Sequence, residues 1–298
     1  MKQISIVIVT YNSEKDIYDC VRSIQTHADI PLSDIELIVA DNNSRDTDTM
    51  FSNLHELWGE DIITLRNTRN GGYGQGNNIG IRHATAPVVL IMNPDVRMME
   101  PCLGNAVTAF ATDSSLIMYG MKQMLTPDTP STYPFGTTMM MCGYLRPIIM
   151  AIASRLDLYM PKFMYLDGSC FFVRKSMFAE VGLFDEENFL YAEEDDIHYR
   201  LTKRFGYNIR YDKNIRYMHL ASERKPDVNY ELMRARASVF LNNKKGYPQY
   251  KTIRNFIAMN RVLLWREQFR ELLGHRSATR PMLTELIDKL KKLNSNDE

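Results

Sequence analysis

Three segments of this chain stop an apolar run on residues able to do chemistry: Thr10-Tyr11-Asn12, Asp41-Asn42-Asn43 and Asn93-Pro94-Asp95. The third follows Val88-Val89-Leu90-Ile91-Met92, a short continuous apolar run of the kind found in strands buried on both faces of a parallel sheet. Such sheets bind ligands beyond the carboxyl ends of their strands. Pro94 cannot donate to a ladder, so it ends the strand and turns Asp95 out of the sheet. Together the three ends offer a hydroxyl, an aromatic ring, a carboxylate able to accept from a base N–H or ribose hydroxyl, and a second carboxylate able to hold a cation. A nucleotide diphosphate with a metal suits that set. A single strand-end Asp is as readily a turn cap, and it is the repetition along one edge that favours a ligand.

Farther along, Glu193-Glu194-Asp195-Asp196 opens a helical segment whose end carries Lys203 and Arg204. Complementing the helix dipole explains part of this pattern, at about 0.3–1 kcal/mol per exposed charge. Yet Glu193 and Glu194 lie four and three residues before Ile197, on the side nearest the buried Ile197/Leu201/Phe205 stripe. Carboxylates crowded there have raised pKa values, as a general base requires. His219 follows a strand-like Asn214-Ile215-Arg216-Tyr217-Met218; it reads as a hydrogen-bonded structural residue unless the fold brings it to Asp95. The glycine-rich Gly71-Gly72-Tyr73-Gly74-Gln75-Gly76-Asn77-Asn78 is not a dinucleotide fingerprint, because it does not follow the first strand or close on a third glycine. It reads as a loop, either turning or letting backbone approach a ligand.

The elements that must position these residues alternate. Strands are expected at 4–9, 35–40, 62–65 and 88–92, with helices after Asn12 or Ser13 as cap, near 49–57 and near 77–83. This is an α/β chain with a mostly parallel, Rossmann-like central sheet flanked by helices. Residues 126–134 read as a Pro/Thr/Ser-rich loop, 171–173 as a strand and 175–181 as a short helix closed by Gly182. Gly206 ends the acidic helix. Beyond Tyr230 the pattern is helical, with 289–298 expected as a frayed tail. The expected organisation is 1–225, divided into a nucleotide-binding half at 1–97 and an acceptor-binding half at 98–225, followed by a helical extension at 226–298.

Lys+Arg and Asp+Glu are both 36 in 298 residues, so there is no basic field to gather nucleic acid. Cys20, Cys102, Cys142 and Cys170 are widely spaced, as expected of reduced, buried thiols in a cytoplasmic protein. No signal peptide and no 18-residue apolar run are evident, so no membrane span is expected.

In their order, these segments resemble family-2 glycosyltransferases of the GT-A fold, most closely the bacterial rhamnosyltransferase-type branch. The likeness runs from Ile4 to Ser222 through Ile6-Val7-Ile8-Val9-Thr10-Tyr11-Asn12, Val39-Ala40-Asp41-Asn42-Asn43-Ser44, Asn70-Gly71-Gly72-Tyr73-Gly74-Gln75-Gly76-Asn77-Asn78-Ile79-Gly80, Met92-Asn93-Pro94-Asp95-Val96, Val181-Gly182-Leu183-Phe184-Asp185-Glu186 and Tyr191-Ala192-Glu193-Glu194-Asp195-Asp196. The resemblance implies that Thr10, Tyr11, Asn12 and Asn43 border the nucleotide and that Asp41 bonds its base. Gly72, Gly76 and Asn77 would pack along the donor. Asp95 takes the last position of the family's DXD motif, whose first position here is Asn93, and His219 resembles the later metal-binding histidine, with Mg2+ or Mn2+ as the ion. Glu194 is the implied general base, with Glu193 or Asp196 as alternatives, and Asp167 with Gly168 would meet the acceptor. The implied reaction is inverting transfer from a dTDP- or UDP-sugar to a glycan or lipid-linked acceptor in bacterial surface polysaccharide synthesis. The competing class is a non-catalytic sugar-nucleotide-binding or assembly subunit. Residues 139–158, apolar and methionine-rich, suit a peripheral membrane contact at the inner face of the plasma membrane, core packing or a homodimer interface; the helices around 256–273 suit a dimer or a membrane surface.

Overall fold

Strands buried on both faces and helices buried along one stripe produce two layers of helix around one sheet. The computed structural model describes residues 1–131, 134–138, 146–220, 227–275 and 279–295. Cys142, residues 139–145 of the methionine-rich stretch, residues 132–133 of the Pro/Thr/Ser-rich loop, and Ala221 with Ser222 lie outside the described residues.

In the first half β1 (Ile4–Thr10), α1 (Glu14–His27), β2 (Ile35–Asp41), α2 (Thr47–Trp58), β3 (Ile63–Arg66), α3 (Gly72–His83) and β4 (Val88–Met92) alternate. Their strands are parallel, in the order β3-β2-β1-β4. The direction of winding reverses between β1 and β4, which is where an open sheet leaves its crevice. Thr10 pairs with Asp41 and Ile8 with Met92, so the three polar strand ends stand level along one edge. The continuous apolar runs reflect burial on both faces: Ile4, Ile6 and Ile8 join Ile17, Val21 and Leu54 in one core, while Val7 joins Ile38, Ile81 and Ile91 in the other. Each such side chain contributes roughly 1.5–3 kcal/mol.

The second half runs β5 (Val96–Met98), α4 (Leu103–Thr112), β6 (Met118–Thr126), β7 (Thr129–Pro130), β8 (Phe135–Thr137), α5 (Arg146–Arg155), β9 (Met164–Leu166), β10 (Cys170–Arg174), α6 (Lys175–Glu180), α7 (Glu193–Phe205) and β11 (Ile209–His219). Here the sheet becomes mixed. β10 lies antiparallel between β4 and β6, and β11 pairs parallel with β6 and antiparallel with β5. Since β10 opposes β4, its beginning meets β4's end, Cys170 against Met92. That reversal carries the segment before β10 to the same edge as the strand ends of the first half.

Three helices follow: α8 (Val228–Lys244), α9 (Gln249–Leu272) and α10 (Arg280–Ser295). Val228, Ile253, Phe256, Leu286 and Leu290 form their shared core. Leu290 is fully enclosed and α10 runs to Ser295, so the expectation of a frayed tail from 289 is corrected: apolar contacts hold that turn in place. Trp265, stacked on Phe269, remains exposed together with Leu272 and Leu273.

Two further expectations change. Ser13 is the N-cap of α1 but gives it no side-chain cap bond, its hydroxyl bonding instead to the backbone of Tyr11; Asn12 Oδ1 accepts from Arg45 N–H at 3.1 Å. The glycine-rich loop is helix, because α3 begins at Gly72. Glycine is a weak helix former, about 1 kcal/mol worse than alanine, and tertiary contact overrides the preference. A Cβ on Gly76 would stand 2.7 Å from Val9 Cγ1, and one on Gly80 2.5 Å from Val7 Cγ1. The glycines let the helix backbone settle directly on β1.

Candidate active site

The polar strand ends of the first half are knitted to one another. Asp41 is fully buried; Oδ1 accepts from the Thr10 and Ser44 hydroxyls and Oδ2 from Ser44 N–H at 2.8 Å and Thr47 Oγ1 at 2.7 Å. With both oxygens engaged, Asp41 ties the strand ends together behind the crevice. Thr10 is likewise buried behind this edge. Gly72, Gly76 and Asn77 are buried as well, and the polar contacts there run within the protein: Asn42 Nδ2 donates to Gly72 O at 2.8 Å and Asn77 Nδ2 to Tyr73 O at 3.0 Å. What the edge presents outward is Tyr11, 52% exposed, with Asn12 and Asn43. Both asparagines hold positive φ, 51° and 64°, a conformation that asparagine tolerates better than most side chains.

β5 explains how Asp95 meets His219. The Asn93-Pro94-Asp95 turn, closed by Val96 N–H to Asn93 O at 3.1 Å, feeds a strand in which Val96 pairs with His219. Asp95 Oδ1 then lies 3.3 Å from His219 Nε2, both side chains about a quarter exposed. Ligand atoms about 2.1 Å from one octahedral ion sit about 3.0 Å apart in neighbouring positions, so this pair fits two adjacent positions on a divalent cation. Among the described residues no cluster of three His, Cys, Asp or Glu offers a metal site. The remaining positions would fall to a diphosphate and water, as is usual for Mg2+. Asn93 N–H donates to Ser169 O at 2.8 Å, tying the turn to Asp167-Gly168-Ser169.

Across that segment stands the start of α7. Tyr191 and Ala192 both hold left-handed backbone, φ 76° and 67°, just before it. Such residues cost of order 1–3 kcal/mol each and cluster at functional sites. The four acids then divide. Asp195 bonds to Lys245 Nζ at 2.6 Å, and Asp196 to Arg200 at 2.6 Å and Lys244 at 3.2 Å, cations drawn mostly from the end of α8. Glu193 is buried beside Phe240 and Leu241 with no partner for Oε1 among the described residues, and burial raises its pKa well above the ordinary range. Glu194 presses on the Gly168 backbone, where a Cβ would stand 2.3 Å from its Oε1. Its pKa rises to about 7, first through burial and then through the charge of Asp167. Of the three candidate bases, only Glu194 adjoins Asp167-Gly168.

Two residues outside the sequence-based set complete the arrangement. Tyr73 donates its hydroxyl to Gly168 O at 2.6 Å, fixing the peptide against which Glu194 rests. Gln123, buried on β6, lies between His219 and Asp167. Its signal was a lone amide within the strand-forming Met121-Lys122-Gln123-Met124-Leu125; Tyr73 had none beyond interrupting a glycine run.

Comparison with known proteins agrees with this fold. The family model described as Glycosyl transferase family 2 matches residues 5–182. The low-salt glycan biosynthesis hexosyltransferase Agl10 of Haloferax volcanii is 29% identical over 216 residues, 70% of this chain and 64% of the relative. The poly(ribitol-phosphate) beta-N-acetylglucosaminyltransferase TarS of Staphylococcus aureus is 26% identical over 250 residues, 81% of this chain and 41% of the relative. The chain therefore spans less than two thirds of the length of either. Among solved structures, the mannosyltransferase PcManGT of Pyrobaculum calidifontis, in complex with GDP-Man and Mn2+, superposes with a TM-score of 0.61 at 15% identity, covering 98% of this chain and 83% of that one. TarS 1–349 in complex with UDP gives 0.55 at 16% identity, covering 98% and 90%. At such identities the likeness is one of fold.

Proposed function

Because the chain belongs to glycosyl transferase family 2 and has the GT-A fold, we propose that it moves a sugar, with inversion, from a dTDP- or UDP-linked donor to a hydroxyl of a glycan or lipid-linked acceptor in bacterial surface polysaccharide synthesis. The observation that carries this reading is Glu194, a carboxylate with a pKa of about 7 beside Gly168, on the same sheet edge as the Asp95–His219 pair. We assign the transferase to 1–225, with 1–97 for the donor and 98–225 for the acceptor, and 226–298 as a supporting extension.

In this reading Tyr11, Asn12 and Asn43 rim the seat of the base, and Asp41 keeps their strand ends in place. Asp95 and His219 hold Mg2+ or Mn2+, which when bound supplies charge neutralisation to the departing diphosphate. Glu194 takes the acceptor proton as that oxygen forms its bond to the anomeric carbon and the bond to the diphosphate breaks, a contribution of about 10²–10⁴-fold. Asp167 orients the acceptor hydroxyl and keeps Glu194 basic. Tyr73 anchors the Gly168 carbonyl, and the Gly168 N–H meets the ionised form of Glu194.

A second surface bears on the acceptor. On α5, Met150 and Ala153 pack against Phe135 and Met164, while Ile148 and Ile152, one turn apart, are 59% and 53% exposed and Leu156, just past the helix end, is 58% exposed. Arg155 and Lys162 are also exposed, and the nearby acid Asp157 is bound to Lys122 Nζ at 2.6 Å. An apolar face flanked by exposed cations suits the interface of an anionic bilayer. We therefore place α5 at a membrane face, with no described helix long and apolar enough to cross one.

Thermal stabilisation by UDP-, dTDP- and GDP-sugars, with and without Mn2+, tests the donor assignment; no shift with any of them defeats it. Glu194→Gln should keep that shift and lose transfer by about 10²–10⁴-fold. Unchanged transfer would remove Glu194 from the chemistry, and transfer absent from the wild-type protein with every acceptor tried would favour a sugar-nucleotide-binding subunit. Flotation with phosphatidylglycerol vesicles should be lost in Ile148→Glu/Ile152→Glu; a wild-type protein that never floats ends the membrane assignment.

A further inference from the structure

Gln123 is almost fully buried, and its Nε2 lies 2.8 Å from His219 Nδ1 and 3.3 Å from both Asp167 Oδ1 and Ser169 Oγ. An amide nitrogen only donates, and an ionised carboxylate only accepts. The Asp167 contact therefore orients the amide with its nitrogen toward Asp167, and His219 Nδ1, facing that same nitrogen, must accept. The imidazole proton then resides on Nε2, the atom 3.3 Å from Asp95 Oδ1. This tautomer has no lone pair at Nε2 to offer a cation. A histidine that ligates through Nε2 carries its proton on Nδ1 and gives it to an acceptor. Rotating the Gln123 amide by half a turn supplies that acceptor, Oε1, without moving the backbone. It also turns an oxygen toward Asp167, which opposes the rotation while the Asp167 carboxylate stays where it is.

Building on the metal assignment above, we propose that Gln123 is a two-setting positioning residue: its amide nitrogen faces His219 in the metal-free protein and its oxygen faces it when the cation is bound, the second setting being favoured once Asp167 turns to an acceptor hydroxyl. Cation and acceptor then favour each other's binding, and by linkage the effect is equal in both directions. Gln123 touches neither reactant in this scheme. It joins the departing group's half-site to the acceptor's half through one hydrogen-bonded side chain.

Nitrogen-15 NMR of histidine-labelled, metal-free protein should find the His219 proton on Nε2. In Gln123→Glu, a carboxylate that can only accept should move it to Nδ1. Mn2+ binding in the presence of UDP, read from the electron paramagnetic resonance of free Mn2+, should weaken by about 10–100-fold in Gln123→Leu and recover in Gln123→Glu. A wild-type His219 already protonated on Nδ1 overturns the inference, as does a folded Gln123→Leu with wild-type Mn2+ affinity. The wild-type spectrum needs no substitution, so instability of the leucine variant does not shelter the idea. Wild-type protein that binds no Mn2+ with UDP overturns the metal assignment itself, an outcome separate from unchanged affinity between variants.

Discussion

The two sides of the crevice are built on opposite terms. On the donor side, Asp41 has four internal donors and its neighbours Thr10, Asn42 and Thr47 are hydrogen-bonded within the fold, so buried polar groups are compensated and the strand ends are rigid. On the acceptor side, Glu193 lacks a partner for one oxygen among the described residues, Glu194 has a raised pKa, and the chain enters α7 through two residues in left-handed backbone. A buried polar group that is satisfied stabilises or is neutral; one that is not destabilises. The difference teaches where this fold holds its shape and where it keeps reactivity in reserve.

Replacing the buried acid of each side, Asp41 or Glu194, should therefore have opposite signs. Asp41→Ala leaves its donors, including Ser44 N–H, without their acceptor and should lower unfolding free energy by about 2–5 kcal/mol in urea titrations. A neutral result would show that the donor side is not the rigid one. Lys245→Met removes the cation 2.6 Å from Asp195 and should cost about 1–3 kcal/mol by the same measurement. Glu194→Gln should instead stabilise, by about 1–3 kcal/mol at pH 8. Its folded pKa lies above the unfolded value, so the wild-type penalty is absent below about pH 4.5, grows as pH climbs toward about 7 and is constant above. A gain that persists at pH 4 would point to some cause other than that ionisation.

The smallest effect separates the two carboxylates of the acceptor side. Transfer should rise with pH through about 7 as Glu194 loses its proton. Asp167→Asn removes a like charge and should draw that limb down by about half a unit to one unit, whatever it does to the maximal rate. A limb that stays put would assign it to another group.

Much of the donor side was legible because its signals are local. Apolar runs that end on Asp41 or on Asn93-Pro94-Asp95 announce strand and edge together, and a parallel sheet brings such ends level whatever the order of strands. The acidic start of α7 was legible as a cluster, but not which acid would stand beside Asp167-Gly168: Glu193, Glu194 and Asp196 differ in what faces them from α8, β9 and β10, and that is set by packing across long sequence separations. The donors around Asp41 were hidden for the same reason, since Thr10, Ser44 and Thr47 converge on it only once β1 and β2 are in register. The glycines of α3 pointed toward turns because their cost in a helix is a local quantity, whereas the contact with Val7 and Val9 that outweighs it is not.

That glycine-lined helix has a consequence for how the crevice is dimensioned. Gly76 and Gly80 touch β1 on one side, while Gly74 meets Phe184 and the Asp185 backbone and Tyr73 N–H bonds to Phe189 O on the other, along the segment that leads into α7. The helix thus works as a gauge block, one bare backbone thick, whose width owes little to rotamers. The span between the donor's strand ends and the acidic helix is set by that thickness, and one added methyl group at position 76 is a change of calibration.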